Sequence, residues 1–437
     1  MQGISEELLK QMKESAEKDR NVKTLNAAMA KGEYADLAYV PLNGAKLNGD
    51  FAVEIKTSSV TYQKRSGRCW LFAVLNILRE KAAENMKLER MELSENYLSF
   101  YDKLEKCNNF LEMVIANADK ELSDRMMEYI LSGIGDGGYF DMARDLIQKY
   151  GVIPVEVMPD NYQSTHTEKF TRLQNSLLRK DAALLRAAVK NGEDAEALKE
   201  KMLTEIYKAQ CIAFGTPVEQ FDYSFRDKDG EYHQEFSITP KEFYDKYVGI
   251  DLNSYVTVIN HPTDGLKMNG YYCFHYMGNM AGVNCRCLNL SMQEMQKMVI
   301  QQLKDGVPVW FGCDSGAYGD RMMGVWDPDS FDYEGLLGGI DLTMSKKDRL
   351  MYHDSFATHA MLLTGVDFDA NGNPVRWKIE NSWGEEVGKK GYFVCSQKYF
   401  EEYVYEAILL KDYFTEEQLA LLKKEPIEIL PWQSDVI

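Results

Sequence analysis

The chain predicts an α+β fold of two lobes, a helical one followed by a strand-rich one, and three observations carry that reading. Between residues 69 and 150 the apolar residues recur at helical spacing; Leu71, Val74, Leu75 and Leu78 set the pattern. After about residue 250 the texture changes to short β-branched and aromatic runs punctuated by turn residues: Tyr255-Val-Thr-Val-Ile, Tyr271-Tyr-Cys-Phe-His-Tyr, Val307-Pro-Val-Trp-Phe-Gly, Ala360-Met-Leu-Leu-Thr and Trp377-Lys-Ile-Glu. At 437 residues the chain is long enough for two or three domains around a sizeable core.

In chain order, residues 1–60 are expected to wrap the core, ending in Phe51-Ala-Val-Glu-Ile. Residues 61–160 form the helical lobe. The charged tract 161–250 reads as a helical insertion. Leu173, Leu177, Leu178, Leu184, Leu185 and Val189 form one amphipathic pattern that breaks at Asn191-Gly192. Ala195, Leu198, Met202, Leu203 and Ile206 form the next, which predicts a helical hairpin. Residues 251–425 make the strand-rich lobe, and 426–437 are a tail. No internal repeat or low-complexity linker is present.

Cys69 is the strongest candidate for chemistry. It starts the helical tract, where unsatisfied backbone N–H groups favour a negative sulfur. Most buried cysteines are inert packing residues, so Cys69 needs companions. His359, in Thr358-His-Ala-Met-Leu-Leu-Thr-Gly-Val-Asp, can take the thiol proton and later protonate a leaving amine. Asn381, opening Asn381-Ser-Trp-Gly384, can hold the ring in one tautomer without adding charge. Gln63, six residues before the cysteine, and the Cys69 backbone N–H are candidate donors to a tetrahedral oxyanion. Trp383 is expected to shield the His359–Asn381 bond from water.

These residues and their contexts carry a family likeness. The order Gln63, Cys69, His359, Asn381 resembles the papain-like cysteine peptidases, and most of all their bleomycin hydrolase and aminopeptidase C branch. The likeness rests on Arg68-Cys-Trp-Leu-Phe-Ala-Val-Leu-Asn76, Gly135-Asp-Gly-Gly138, Val307-Pro-Val-Trp-Phe-Gly-Cys-Asp314, Thr358 to Asp367, and Glu380-Asn-Ser-Trp-Gly384 followed by Gly391-Tyr-Phe. Leu71, where secreted relatives carry a small residue, also resembles the cytosolic branch. The resemblance implies a papain-like two-lobed fold, its strand-rich lobe barrel-like, with the cleft between the lobes. It further implies a thiol aminopeptidase that acts through a thioester acyl-enzyme on small peptides with a free N-terminus, needs no cofactor or metal, and assembles as a homohexamer through helical arms. By resemblance, Gly137 and Gly138 hold the substrate on its amino side.

Spacing and tail mark the departures. His359 follows Cys69 by about 290 residues, where a papain-type core has roughly 130–150, so about 140 or more are inserted; the bland alternative for the insertion is a solvated excursion packed on its own lobe. In the resembled branch the terminal carboxylate lies in the cleft and holds the substrate's α-amine. Here Leu430-Pro-Trp432 is followed by Gln433-Ser-Asp-Val-Ile437, about two residues shorter and without the usual Asp-Pro-Met-Gly run. Ile437 or Asp435 is the candidate anion. An endopeptidase, or a deamidating or acyl-transfer enzyme with the same triad, is the alternative; an intact catalytic set argues against a non-catalytic scaffold.

Composition sets the remaining bounds. Eight scattered cysteines show no small-domain disulfide framework, and the N-terminus shows no apolar core with a cleavage signal, so a cytoplasmic protein is expected. No stretch reaches the roughly 20 apolar residues of a membrane span. A formal net charge of −18 argues against nucleic acid as a partner. Cys273-x-His275 and Cys285-x-Cys287 have paired spacing for zinc, but spacers of one residue put each pair on one face of a strand, so packing is the simpler reading.

Overall fold

A computed structural model describes residues 1–433. The tract that opens on Cys69 folds as the helix Cys69–Asn85 and is buried nearly all round. Leu71, Val74, Leu75 and Leu78 join Leu98, Phe140 and Leu146 from neighbouring helices and Trp310, Ala360 and Leu362 from the strands in one core. The nucleophile helix is therefore the shared wall of the two lobes, and its all-round hydrophobicity follows from that position.

The strand-rich part is one mixed twelve-stranded sheet. Its centre is the strand His359–Phe368, flanked by Val309–Cys313 on one side and Pro374–Glu380 on the other, both antiparallel. His359 stands opposite Cys313, and Leu362 opposite Glu380. Tyr392–Ser396 and Val404–Leu410, which sequence texture did not single out, extend the sheet outward on the two sides. The N-terminal segment is tied to this lobe as well. Val53 pairs with Val366, and Arg376 donates to the carbonyls of Leu47, Asn48 and Asp50.

The helical hairpin forms as Glu168–Asn191 and Ala195–Phe214. Gly192 closes the first helix at φ +70, a left-handed conformation that glycine adopts without steric cost. Leu178, Leu185, Met202 and Ile206 pack on Phe110, Leu111 and Val114 of the long helix Glu95–Ala116, so the hairpin rests on its own lobe. The insertion is not helical throughout. Phe221–Arg226 and Tyr232–Ile238 form an antiparallel hairpin around Asp229-Gly230. Alternating apolar residues flanking Asp-Gly were the signal for it. Among the described residues, no helix is long and apolar enough to cross a membrane.

A buried polar join crosses the lobe boundary. From the nucleophile helix, Arg79 donates to Glu380 Oε1 at 2.9 Å and Asn76 to the same oxygen at 3.0 Å; Arg79 also donates to the Ser59 carbonyl. Arg79 and Glu380 are each 1% exposed. Burial raises the Glu380 carboxyl and Arg79 pulls it back down. Removing one partner of such a pair costs about 3–5 kcal/mol, because the other charge is left buried alone. Arg79→Leu is therefore expected to lower unfolding free energy by about that amount in urea titration, and a loss below about 1 kcal/mol would show that the join is not structural.

Candidate active site

The segment Tyr62–Gln63 is laid against Ser382–Gly384 of the other lobe. Gln63 N–H donates to the Ser382 carbonyl at 2.9 Å, and Gly384 N–H to that of Thr61 at 3.0 Å. This pairing brings the Gln63 side chain under the Asn381 turn. Its Oε1 accepts the Ser382 hydroxyl at 2.6 Å, and its Nε2 donates to the Ser66 carbonyl at 2.7 Å. The Ser66 carbonyl can only accept, so the end of the amide facing it is the nitrogen, whose second hydrogen is available to a ligand.

Cys69 begins its helix, as expected, with Arg68 at the cap position. Arg68 is buried and held by Asp160 through two bonds of 2.8 and 3.1 Å and by the Ser66 hydroxyl at 3.0 Å, which locks the turn before the nucleophile. Cys69 itself is half-buried. Its sulfur faces the backbone N–H of Ala360, the residue after His359, along with those of Trp70 and Cys69. The sulfur thus lies against the residue next to His359, which comes from the opposite lobe.

His359 is buried, and its Nε2 lies 2.8 Å from Asn381 Oδ1. That oxygen also accepts the Ser382 N–H at 2.7 Å, so it is the oxygen, and it can only accept. The ring proton is therefore on Nε2, and Nδ1 is the free base. Trp383 stacks on the imidazole with centroids 4.8 Å apart at 23°. Arg321 lies over the Trp383 ring, 4.7 Å from its centroid. No sequence signal marked Arg321, which sits in a turn between two short strands. Ser382 and Ser66 were also missed, although Ser382 lies inside the Asn-Ser-Trp-Gly run.

Burial dominates the electrostatics. It pushes the Cys69 thiol up, against the N–H groups of Ala360, Trp70 and Cys69. Burial also brings His359 down to about 4; the Asn381 bond opposes this and the Arg321 charge assists it. Taken singly, a thiolate and an imidazolium are both disfavoured here, contrary to the simple expectation from a helix start. A proton passed from sulfur to ring creates both charges together, and their mutual attraction offsets a desolvation cost that neither meets alone.

Gly135–Gly138 lies beside the nucleophile helix. Trp70 Nε1 donates to the Asp136 carbonyl at 2.9 Å, and the Asp136 carboxylate is bound by Lys103, Thr167 and Thr171. A Cβ on Gly138 would fall 2.6 Å from the Trp70 ring, so packing requires glycine there. A Cβ on Gly137 would meet open space, so that glycine exposes bare backbone rather than relieving a clash. Asp435 and Ile437 lie outside the described residues. Trp432, just before them, packs beside the hairpin core with Tyr276 and Ile134. The cysteine pairs do not converge: Cys273 pairs with Arg286 across the sheet, on the opposite face from Cys285 and Cys287. Among the described residues no group of three or more His, Cys, Asp or Glu could hold a metal ion.

Comparison with known proteins extends these findings. The sequence profile of the Peptidase C1-like family matches residues 3–435. The chain is 42% identical to Aminopeptidase C of Lactococcus lactis subsp. lactis over 93% of each chain. It is also 42% identical to Aminopeptidase C of Streptococcus thermophilus over 87% of each. The crystal structure of PepW from Lactobacillus rhamnosis HN001 superposes with a TM-score of 0.95 at 38% identity, covering 99% of this chain and 98% of that one.

Two expectations follow from the geometry. Alkylation of Cys69, followed on its own peptide by mass spectrometry, should accelerate well below pH 8.5, the free-thiol value. A single rise at or above that pH would mean that desolvation wins and the resting dyad is neutral. Gln63→Ala should lower kcat by roughly 10²–10³-fold with KM little changed, the usual cost of one oxyanion donor. A rise in KM alone would make Gln63 a binding residue instead.

Proposed function

The chain belongs to the Peptidase C1-like family and is a cysteine peptidase, and from that premise we propose that it is an aminopeptidase acting on small peptides with a free N-terminus. The observation that supports the chemistry is that the Cys69 sulfur lies at the N–H of Ala360, next to His359, while Asn381 bonds the His359 ring and Ser382 bonds Gln63. Cys69 sulfur attacks the scissile carbonyl carbon as His359 Nδ1 takes the thiol proton. The carbonyl oxygen becomes an oxyanion that faces the free Gln63 Nε2 hydrogen and the Cys69 N–H. The C–N bond then breaks, and the departing amine leaves with the proton from His359. Water, deprotonated by His359, attacks the thioester carbon; the acid departs, and the sulfur regains its proton.

Selection of a free amine is assigned to the tail. A carboxylate from Ile437 or Asp435 facing the substrate ammonium would bind it by a charge-assisted contact and block extension of the peptide beyond it. The open backbone at Gly137, with Gly138 beside it, is the proposed rest for the substrate's main chain. We place the enzyme in the cytoplasm as a homohexamer. Exposed Leu173, Leu184 and Ile212 on the helical hairpin support an assembly face, and a sedimentation mass other than six chains would remove it. The residues after Trp432, Gln433-Ser-Asp-Val-Ile437 in place of an Asp-Pro-Met-Gly run, support a second reading, an endopeptidase or other thiol acyl hydrolase with the same triad.

Free and N-acylated peptides separate the two readings. The intact protein should cleave free-amine peptides and leave acylated ones, and deletion of residues 433–437 should weaken the first activity and open the second. If the deletion leaves the preference between free and blocked peptides untouched, the tail plays no part in selection.

A further inference from the structure

Arg321 is carried on the turn between two short strands, Gly319–Asp320 and Val325–Trp326, which pair antiparallel. The turn is pinned on several sides. Gly324 N–H donates to the Asp320 carbonyl at 2.9 Å, Gly388 N–H to that of Met322 at 3.0 Å, and Val394 N–H to that of Gly324 at 2.9 Å. The Asp320 carboxylate faces back into the turn and accepts the Met323 N–H at 2.7 Å. Gly324 has φ +70, and a Cβ there would fall 2.6 Å from the Gly388 Cα, so two loops meet at bare backbone. A side chain rooted on so fixed a turn loses less freedom on binding than one on a loose loop.

The Arg321 guanidinium lies 4.7 Å from the Trp383 ring centroid, and that ring lies 4.8 Å from the His359 ring. It therefore stands no farther from the imidazole than those two contacts laid end to end. Its charge is felt there: burial first, and then this cation, bring His359 down to about 4. Arg321 is exposed and makes no hydrogen bond or ion pair with any described residue. Glu385 and Glu386 follow Trp383 closely in sequence, yet neither pairs with it. A guanidinium resting on an indole face keeps its N–H edge free, and that edge matches a carboxylate through two parallel bonds.

The departing amine takes its proton from His359, so the leaving group lies along the imidazole and the Trp383 stacked on it. Extended chain advances about 3.3–3.6 Å per residue, which brings the carboxylate of a leaving group one or two residues long within the span from His359 to Arg321. We infer that Arg321 binds the C-terminal carboxylate of a short peptide, and that the preferred substrates end one or two residues past the cut. The inference rests on the peptidase reading above and gives it a substrate class, short peptides with a free carboxyl end.

The test compares Leu-Leu, Leu-Leu amide and Leu-Asp amide, with released leucine read by chromatography. The first carries a terminal carboxylate on its leaving group, the second none, and the third a side-chain carboxylate alone. In the intact protein, kcat/KM for Leu-Leu should exceed that for its amide by about tenfold, mostly through KM, the scale of a hydrogen bond to a charged group. Added salt, which screens an exposed cation, should lower that ratio. Arg321→Gln should bring the ratio close to one, Arg321→Lys should hold it above one, and Arg321→Glu should push it below one; loss of structure alone does not produce that order. A ratio at or below one in the intact protein, or one unchanged in Arg321→Gln, overturns the proposal. A gain for Leu-Asp amide as large as that for Leu-Leu would assign Arg321 to acidic side chains and overturn the terminal-carboxylate assignment. Calorimetric titration of Cys69→Ala with the same peptides keeps the two readings apart. Tighter binding of Leu-Leu than of its amide, lost on adding Arg321→Gln, without turnover in the intact protein would uphold the Arg321 site and sink the peptidase reading. Equal binding together with equal turnover of all three would do the reverse.

Discussion

The site depends on the buried contact between Arg79 and Glu380, reinforced by Asn76. Glu380 is the residue before Asn381, and Arg79 lies on the helix that Cys69 begins. Two donors and a carboxylate, enclosed between the lobes, therefore fix the helix against the strand that presents the histidine's partner. Packing alone would leave such an apolar helix free to slide or rotate by small amounts, since hydrophobic contact is non-directional. Directional bonds remove that freedom. A well-packed apolar substitute can equal a buried ion pair in stability; what it does not supply is this alignment of two separate chain segments.

Around that join each of the proposed catalytic groups Gln63, His359 and Cys69 is held by a neighbouring side chain. Ser382 orients Gln63, Asn381 sets the His359 tautomer, and Arg68 with Asp160 locks the turn before Cys69. The common theme is that the groups holding a residue come from another part of the chain. Ser382 reaches across from the strand lobe to the amide of Gln63, and Trp383 covers the ring that Asn381 orients. The site is as rigid as the interface between its lobes.

Much of this was legible in the sequence, for identifiable reasons. The nucleophile helix showed because burial on all sides demands an apolar run, and Gly192 showed because a left-handed helix end favours glycine. The triad and Gln63 stood out because thiol chemistry restricts residue types and the flanking runs are specific to a family. Arg321 did not, since an arginine in a turn looks like any solvated charge until the fold sets it over Trp383. The hairpin at Phe221–Ile238 was overlooked because its surroundings are strongly helical. Charge regulation was the least legible of all, because the helix start argues for a thiolate while the burial that opposes it is a property of the assembled lobes.

The long interval between Cys69 and His359 has a consequence for biosynthesis. The ribosome delivers the thiol first, and nearly three hundred residues, including the whole helical hairpin, emerge before its base. Until the central strand joins Val309–Cys313, no imidazole stands near the sulfur, the amide of Ala360 is elsewhere, and Gln63 has no serine to aim it. An unfinished chain thus holds an ordinary cysteine among other nascent proteins. The proposed catalytic arrangement is complete only once the sheet has closed around His359.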